Sequence, residues 1–223
     1  MNNLTLIIPA KNEAESLPKV LTDLNNIGCK IIISLKSQDV ETINAVKKFN
    51  LKIHRQTKKG YGNSLTEAIK ICETEFFCIF NADGSFNPIE LKNMYDLAIK
   101  GNADFIFASR YMDGGLSQDD TITTFIGNKM FTFIGQFFFS LPISDILYTF
   151  VLGNTQKANN LQLKEKSFSL CAELPILAKK FKHKIISVPS HERARIAGKK
   201  KVNEFKDGFL ILVSMIKLYF LRN

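Results

Sequence analysis

A short polar cluster that could bind a divalent cation follows an apolar run. Residues 76–80 are Phe-Phe-Cys-Ile-Phe, and Asn81, Ala82 and Asp83 come directly after them. Such a run predicts a buried strand, and the end of a strand is where an α/β sheet presents its chemistry. Mg²⁺ and Mn²⁺ bind carboxylate and other oxygen ligands together with substrate phosphates. The cluster therefore predicts a cation site with Asp83 and Asn81 as ligands, and the open alternative is a plain turn.

Basic residues that could bind phosphate lie in two places. Arg110 follows another apolar run, and a guanidinium there could clamp a phosphate through two hydrogen bonds. Between Lys179 and Lys201 the chain has nine lysine and arginine residues against one glutamate, so most of the net charge of +9 lies in one tract. A loop carrying Arg193, Arg195 and Lys201 could fold over a diphosphate and neutralise a leaving group. The tract predicts a negatively charged ligand or partner, and a solvated basic face is the alternative.

Two further segments could contact a nucleotide. The first predicted strand ends in residues that could meet a base and a ribose, namely Pro9, Ala10, Asn12 and Glu13. The alternative for Glu13 is a helix N-terminus, where a carboxylate is also favourable. Lys59 and Gly60 offer a positive charge and a backbone that a ligand could approach closely, and a plain turn is the alternative there.

Asp145 and Glu173 are the remaining acidic candidates, Asp145 for substrate binding and Glu173 for catalysis. Glu173 lies among apolar residues, where a carboxylate requires a partner. It could act as a general base or orient an arginine of the site. A structural ion pair is the alternative.

Strands and helices alternate along the chain, which predicts an α/β fold with a mostly parallel central sheet flanked by helices. The predicted strands cover residues 4–9, 30–35, 51–54, 75–80, 103–109 and 184–188, and the predicted helices cover residues 13–24, 39–49, 64–72, 88–100, 163–181 and 208–221. The strand before Arg110 is expected to lie beside the strand before Asp83. Residues 111–121 and 190–201 are expected to be loops.

The composition is ordinary for a folded protein, with 45% hydrophobic and 23% charged residues among 223. We expect a domain over residues 1–205 and an apolar C-terminal helix over residues 206–223, which could lie at a membrane interface. No apolar run reaches the roughly 20 residues of a spanning helix, and the N-terminus lacks the pattern of a secretory signal. Four cysteines without metal-binding spacing predict a reducing, cytosolic setting.

Seven segments occur in the order and spacing of one enzyme family. They are LTLIIPAKNEAESLPKVL, KGYGNSLTEAI, FNADGSFNP, ASRYMDGG, SDILYTF, FSLCAELPILAKK and ERARIAGKKKV. With them, residues 3–205 resemble the family 2 glycosyltransferases, and among these the dolichyl-phosphate mannosyltransferase-like branch of polyprenyl-phosphate sugar synthases. The ordered series is more specific than any single motif.

The resemblance implies a GT-A fold and inverting transfer of a sugar from a nucleotide-diphosphate sugar, with Mg²⁺ or Mn²⁺ as cofactor. Asp83 would then be the principal ligand of the metal and the diphosphate. Asn12 and Glu13 would face the nucleotide. Arg195 and Lys201 match the basic loop that closes over the donor.

The acceptor implied by the resemblance is a polyprenyl phosphate or a lipid-linked or surface glycan, with Arg110 facing the phosphates or the acceptor. A lipid phosphate is already anionic, whereas a sugar hydroxyl would require a base such as Glu173. The phenylalanine-rich residues 125–150 could form an apolar surface for a lipid acceptor, and completion of the core is the alternative. We therefore expect a cytoplasmic protein in peripheral contact with the inner face of the cell membrane.

The sequence departs from the family pattern in a few places, and other functions remain open. Asn81 stands where many members have the first aspartate of a DxD motif, and Thr149 and Val151 stand where the family tends to have glycine and arginine. One alternative is a non-catalytic sugar-nucleotide-binding protein on the same fold. Another is a sugar-phosphate nucleotidyltransferase, which would need a glycine-rich loop after the first strand. The basic tract has no nucleic-acid-binding motif around it, so we expect no nucleic-acid partner.

Overall fold

The computed structural model describes residues 1–101, 103–198 and 200–220. Its strands are β1 (Leu4–Pro9), β2 (Lys30–Leu35), β3 (Lys52–Arg55), β4 (Phe76–Ile79), β5 (Phe105–Ser109), β6 (Leu116–Ser117), β7 (Val151–Asn154), β8 (Ile185–Pro189) and β9 (His191–Glu192). Seven of them form a sheet in the order β3-β2-β1-β4-β7-β5-β8, and β7 runs antiparallel to both of its neighbours. The predicted α/β fold with a mostly parallel sheet is confirmed.

Eight helices connect and cover these strands in the described part of the chain. They are α1 (Leu17–Leu24), α2 (Val40–Val46), α3 (Tyr61–Lys70), α4 (Glu90–Ile99), α5 (Ile122–Phe139), α6 (Thr155–Asn160), α7 (Leu170–Lys180) and α8 (Glu204–Phe220), and a short 3₁₀ turn follows α2 at Lys47–Phe49. One face of the sheet packs against α1, α2 and α4, and the other packs against α3 and α5–α8. Apolar residues three and four apart, such as Leu17, Val20, Leu21 and Leu24 of α1, form the buried side of each helix.

The predicted adjacency of the Asp83 and Arg110 strands is wrong, because β7 lies between them. Cys78 of β4 pairs with Leu152, and Ile106 of β5 pairs with the same residue from the other side. The run that forms β7 is only four residues long, too short for its pattern to distinguish a strand from a buried loop. The strand before Asp83 and the strand before Arg110 therefore share a neighbour and do not contact each other directly in the sheet.

Three segments differ from their predicted structure. Residues 163–169 are irregular rather than helical, because the Lys166 carbonyl accepts a hydrogen bond from the backbone of Gly62 (3.1 Å). The two expected loops over residues 111–121 and 190–201 each contain a short strand, and these strands, β6 and β9, pair in parallel. This pairing fixes the two loops to each other across the end of the sheet.

The C-terminal helix α8 packs into the apolar core on the face of the sheet that α3 and α5–α7 also cover. Its residues Ile211 and Met215 are buried there together with Phe131 of α5. The division into a domain over residues 1–205 and an appended helix over residues 206–223 stays a prediction, and residues 221–223 lie outside the described part. None of the helices within residues 1–101, 103–198 and 200–220 is long and apolar enough to cross a membrane.

Candidate active site

A cavity of about 610 Å³ opens at the carboxyl ends of β1, β2 and β4. This is the edge at which a parallel sheet binds its ligands. The structure places eleven of the candidate residues on its wall, namely Pro9, Ala10, Asn12, Glu13, Gly60, Asn81, Ala82, Asp83, Arg110, Arg195 and Lys201. Four other candidates, Lys59, Asp145, Glu173 and Arg193, do not line this cavity.

Asp83 is oriented by the turn that follows β4. Its Oδ1 accepts hydrogen bonds from the backbone N–H of Ser85 (3.0 Å) and from the side-chain amide of Asn81 (2.5 Å). The amide oxygen of Asn81 in turn accepts the N–H of Phe86 (3.2 Å). Asn81 therefore positions the Asp83 carboxylate, and its role as a metal ligand stays a prediction.

Arg195 connects the basic tract to Asp83. Its Nη1 lies 3.5 Å from Oδ2 of Asp83, and its Nε and Nη2 donate to the two carboxylate oxygens of Asp119 at 3.1 and 2.6 Å. These bonds to Asp119 raise the pKa of Arg195, so the guanidinium keeps its charge. A bidentate pair of this kind fixes the plane of the guanidinium as well as its position.

The backbone of the basic tract is bonded to the turn around Asp83. The N–H groups of Ile196 and Arg193 donate to the carbonyls of Asp83 and Ser85, both at 2.8 Å. Gly84, at φ +83°, lies beneath Ile196, and a Cβ at this position would come within 2.4 Å of the Ile196 side chain. The positive φ favours glycine, and the missing side chain leaves room for Ile196 to pack on this turn. The tract residue Lys199 lies outside the described residues.

Glu13 and Lys201 form a second ion pair at the cavity. Lys201 Nζ lies 3.3 Å from one carboxylate oxygen of Glu13, and the Ser16 hydroxyl donates to the other at 2.7 Å. Glu13 is buried, and its backbone N–H donates to the hydroxyl of Thr42 (2.9 Å). Asn12 is held at φ +54° by a hydrogen bond from its backbone N–H to Asp39 (2.7 Å). The residues after β1 are thus fixed by α2 as well as by the basic tract.

Gly60 has a structural reason to be glycine. Its φ is +119°, and a Cβ there would lie 2.0 Å from the carbonyl oxygen of Lys166. The next residue, Tyr61, stacks on Phe168 with ring centroids 4.4 Å apart and donates its hydroxyl to Thr149 (3.0 Å). The glycine therefore lets the irregular segment before α7 close one wall of the cavity.

Arg110 lines the cavity, but its guanidinium is engaged on several sides. It donates to both oxygens of Asp145 (2.8 and 3.0 Å) and to Glu192 (3.2 Å), and it stacks on Tyr148 with 4.6 Å to the ring centroid. Burial acts to lower the pKa of Arg110, but the adjacent Asp145 carboxylate outweighs it and holds the pKa well above its usual value. Asp145 itself is fully buried and also accepts a hydrogen bond from Asn128. The arrangement ties the end of β5 to the loop before β7.

Glu173 is committed elsewhere in the fold. Its carboxylate accepts the backbone N–H groups of Lys164 and Glu165, each at 2.9 Å, and so fixes the irregular segment before α7. Its burial raises its pKa. The structure does not bring Glu173 to the cavity. Arg193 does not line the cavity either, and its guanidinium donates to the carbonyl of Phe86 (3.0 Å).

Sequence reasoning missed several residues of the cavity. Lys36, Gln38, Asp39 and Gln56 line it after β2 and β3, and Asp119 and Asp120 line it from the loop after β6. Asp120 accepts hydrogen bonds from the hydroxyls of Tyr111 and Thr124. The adjacent acids Asp119 and Asp120 could have indicated that this loop belongs to the site. Nothing in the local sequence indicates that Asp119 contacts Arg195.

The residues present fit a divalent cation bound mainly through the substrate. Asp83 offers a carboxylate at the cavity, and the described residues contain no cluster of three or more His, Cys, Asp or Glu that could hold a metal. Mg²⁺ and Mn²⁺ are often held by one or two carboxylates plus substrate phosphates. Asp83 would thus be the protein ligand, and the cation would neutralise phosphate charge.

The fold, with this charged cavity at the carboxyl ends of its strands, is the GT-A fold of glycosyltransferases. The chain belongs to glycosyl transferase family 2, whose sequence profile matches residues 5–161. It is 24% identical over 195 residues to an uncharacterized protein of Methanocaldococcus jannaschii, covering 84% of this chain and 80% of that one. It is 26% identical over 113 residues to an uncharacterized glycosyltransferase of Mycobacterium bovis, covering 51% of each chain.

Solved structures support the same fold. A glucosyl-3-phosphoglycerate synthase from Mycobacterium tuberculosis, in complex with Mn²⁺, UDP and glucosyl-3-phosphoglycerate, superposes with a TM-score of 0.76 at 10% identity over 96% of this chain and 79% of that chain. A second complex of that enzyme, with Mn²⁺, UDP-glucose and phosphoglyceric acid, has a TM-score of 0.75 at the same identity, covering 97% and 79%. At this identity the likeness concerns the fold. The family match makes the chain a glycosyltransferase rather than a nucleotidyltransferase or a binding protein without activity.

Proposed function

We propose that this enzyme transfers a sugar, with inversion, from a nucleotide-diphosphate sugar to an acceptor that bears a phosphate, and specifically to a polyprenyl phosphate. The observation that carries the proposal is the meeting of Glu13, Asp83, Arg195 and Lys201 at one edge of the sheet. Two cations there suit the phosphates of a donor, and a carboxylate suits the divalent cation that accompanies them. The assignment to the polyprenyl-phosphate branch of the family and the inversion of the anomeric configuration rest on the motif resemblance.

The donor half of the proposal has support from the structural neighbours. Glucosyl-3-phosphoglycerate synthase binds UDP or UDP-glucose with Mn²⁺ on this fold. We therefore propose that a diphosphate binds beside Asp83 and Arg195, and that a base and ribose bind beside Asn12 and Gln56. A bound cation would supply electrostatic stabilisation of the departing nucleotide diphosphate, and Arg195 and Lys201 would share that role.

The acceptor half is supported by the state of the cavity's carboxylates. Six carboxylate side chains are among the described residues that line the cavity, and each accepts at least one hydrogen bond. They are Glu13, Asp39, Asp83, Asp119, Asp120 and Glu192. A sugar hydroxyl acceptor needs a base to take its proton, whereas a phosphate oxygen is already anionic. A phosphate acceptor could therefore react while all six carboxylates keep these partners, whereas a hydroxyl acceptor would need one of them to take its proton. The same proposal places the enzyme in the cytoplasm at the inner face of the cell membrane, where it would meet both substrates.

The donor site is tested by the thermal stability of the protein with UDP-, GDP-, CMP- and dTDP-sugars, with and without Mn²⁺ or Mg²⁺. A ligand that binds only the folded state raises the melting temperature. We expect one nucleotide class to stabilise the protein in the presence of the cation. Asp83→Ala should abolish this shift, whereas Asp96→Ala, at an exposed ion pair of α4, should retain it.

The acceptor is tested by incubating the preferred donor with a short-chain polyprenyl phosphate or, separately, with a glycan acceptor. Formation of a sugar phosphodiester with inverted anomeric configuration, seen by NMR, supports the proposal. Transfer only to a hydroxyl acceptor would contradict the acceptor half and leave the donor half intact. Absence of a cation-dependent shift for every donor would contradict the donor half.

A further inference from the structure

Helices α5 and α8 expose an apolar surface that the cavity does not use. The two helices lie side by side in the same direction, because Thr121 before α5 bonds to Glu204 at the start of α8 (3.4 Å) and Phe138 contacts Tyr219 at the far end (5.7 Å between centroids). Large exposed side chains cover their outer side, and we call them the α5–α8 face: Ile122, Phe125, Ile126, Met130, Phe133, Phe137, Phe138, Phe205, Phe209, Leu210, Ile216, Tyr219 and Phe220.

The α5–α8 face is continuous at the end formed by the C-terminal turns of both helices. A chain of ring contacts runs from Phe133 through Phe137 and Phe138 of α5 to Tyr219 and Phe220 of α8, with centroids 5.0 to 5.8 Å apart. At the other end Phe205 and Phe209 are 85% and 66% exposed. Isolated surface hydrophobes need no explanation, but large apolar side chains exposed together on two adjacent helices indicate an interaction site.

The charges on these helices indicate what covers the face. Helix α5 contains no acidic residue, and its Lys129 is exposed and lies over the rings of Tyr111 and Phe125. Helix α8 exposes Lys206 and Lys217. Its two acids, Glu204 and Asp207, lie in the first turn and are only partly exposed. The most exposed charges of these two helices are therefore all lysines, and an apolar surface with exposed cations complements anionic lipid better than it complements a second copy of itself.

The α5–α8 face also begins at the mouth of the cavity. Thr124 in the first turn of α5 and Val202 just before α8 both line the cavity, next to Lys200 and Lys201. A bilayer seated on the face would therefore hold the cavity mouth at the level of the lipid headgroups. An amphipathic helix pair of this kind lies in the plane of the interface rather than across the membrane.

We propose that the α5–α8 face docks on a bilayer containing anionic phospholipid, and that the acceptor reaches the cavity from this bilayer. The docking is argued from the exposed surface alone. The route of the acceptor from the bilayer to the cavity rests on the proposed transfer to a lipid phosphate. The partner is the bilayer; a second copy of the chain is an outcome of the test.

The test is flotation of the full chain with vesicles of phosphatidylcholine alone or with roughly 30% phosphatidylglycerol. We expect binding to the anionic vesicles, weakened by high salt, and little binding to the neutral ones. Phe205→Ser with Phe209→Ser should reduce the partition coefficient about tenfold or more, since both side chains leave the bilayer. The matched control, Ile89→Ser with Ile99→Ser, removes two exposed apolar residues at the two ends of α4 and should bind as the parent does.

Light scattering and thermal unfolding of each variant complete the test. Equal flotation of the face and control variants, or no flotation of the parent, would overturn the docking. A parent dimer that the face variant converts to a monomer, without a change in flotation, would assign the face to a second copy instead. Transfer to a soluble short-chain polyprenyl phosphate without vesicles separates the outcomes, since it tests the proposed function independently of docking.

Discussion

Asp119 holds the guanidinium of Arg195 through two hydrogen bonds, Nε–Oδ1 at 3.1 Å and Nη2–Oδ2 at 2.6 Å. The two residues are 76 positions apart, in loops that the β6–β9 pair joins. The remaining nitrogen, Nη1, lies 3.5 Å from Asp83. Asp119 is therefore in a position to aim Arg195 at the place where a donor diphosphate would sit.

Weakening the Asp119–Arg195 pair should weaken donor binding in steps. Asp119→Asn retains one acceptor oxygen and Asp119→Ala retains none, so we expect the affinity for nucleotide diphosphate to fall in that order. The alanine variant should lose about tenfold, which corresponds to roughly 1.4 kcal/mol. Calorimetric titration measures this, and Asp113→Ala, an exposed acid of the same loop, is the control. Unchanged affinity in the alanine variant would contradict the positioning role.

Replacing Arg110 should mainly lower the stability of the protein rather than its affinity for the donor. Arg110→Ala leaves the fully buried Asp145 and the buried Glu192 without their cation, and breaking a buried pair in this way costs about 3–5 kcal/mol. Urea unfolding measures the change, and Arg55→Ala at an exposed position is the control. A variant as stable as the parent that still binds donor less well would instead assign Arg110 to the phosphates.

Two glycines of the chain should respond oppositely to alanine. Gly60→Ala places a Cβ 2.0 Å from the Lys166 carbonyl at φ +119°, so we expect destabilisation of more than about 2 kcal/mol. Gly127 lies in the interior of α5 with open space around its Cβ position. Gly127→Ala should stabilise by about 0.5–1 kcal/mol because alanine favours the helix. Equal effects in urea unfolding would show that the wall around Gly60 is not rigid.

The stability of the protein should fall with acidification partly through Glu67. Burial acts to raise the pKa of this residue, but hydrogen bonds from the Thr57 backbone, His54 and the Thr57 hydroxyl lower it from 4.5 to about 2. Because the folded pKa is the lower one, the stabilisation is complete above about pH 4.5 and is lost as the pH falls towards 2.

Glu67→Gln isolates this contribution. We expect the variant to be less stable than the parent at pH 7, with a difference that shrinks as the pH falls below 4.5. Urea unfolding at several pH values measures it, and Glu41→Gln at an exposed position should show no such trend. A difference that is the same at pH 7 and pH 3 would contradict the assignment.

Much of the fold follows from local sequence patterns. Apolar runs predict the strands before Asp83 and Arg110, and helical spacing predicts the helix of Leu17, Val20, Leu21 and Leu24. Both signals are contained in a short stretch of sequence. Because a parallel sheet binds ligands at the carboxyl ends of its strands, the same patterns indicated Glu13 and Asp83, each at the end of a strand, as candidate site residues. The alternation of strands with helices was sufficient to predict the fold class.

Only the tertiary structure decided how these side chains are used. The antiparallel insertion of β7, the pairing of Asp119 with Arg195, and the commitment of Glu173 to the backbone of Lys164 all join residues through contacts between segments. The exposure of the α5–α8 face was also decided by the tertiary structure. The sequence of an apolar helix is the same whether its outer side packs against a core or contacts solvent. Local sequence determines which residues can pair, and the packing of distant segments determines which of them do.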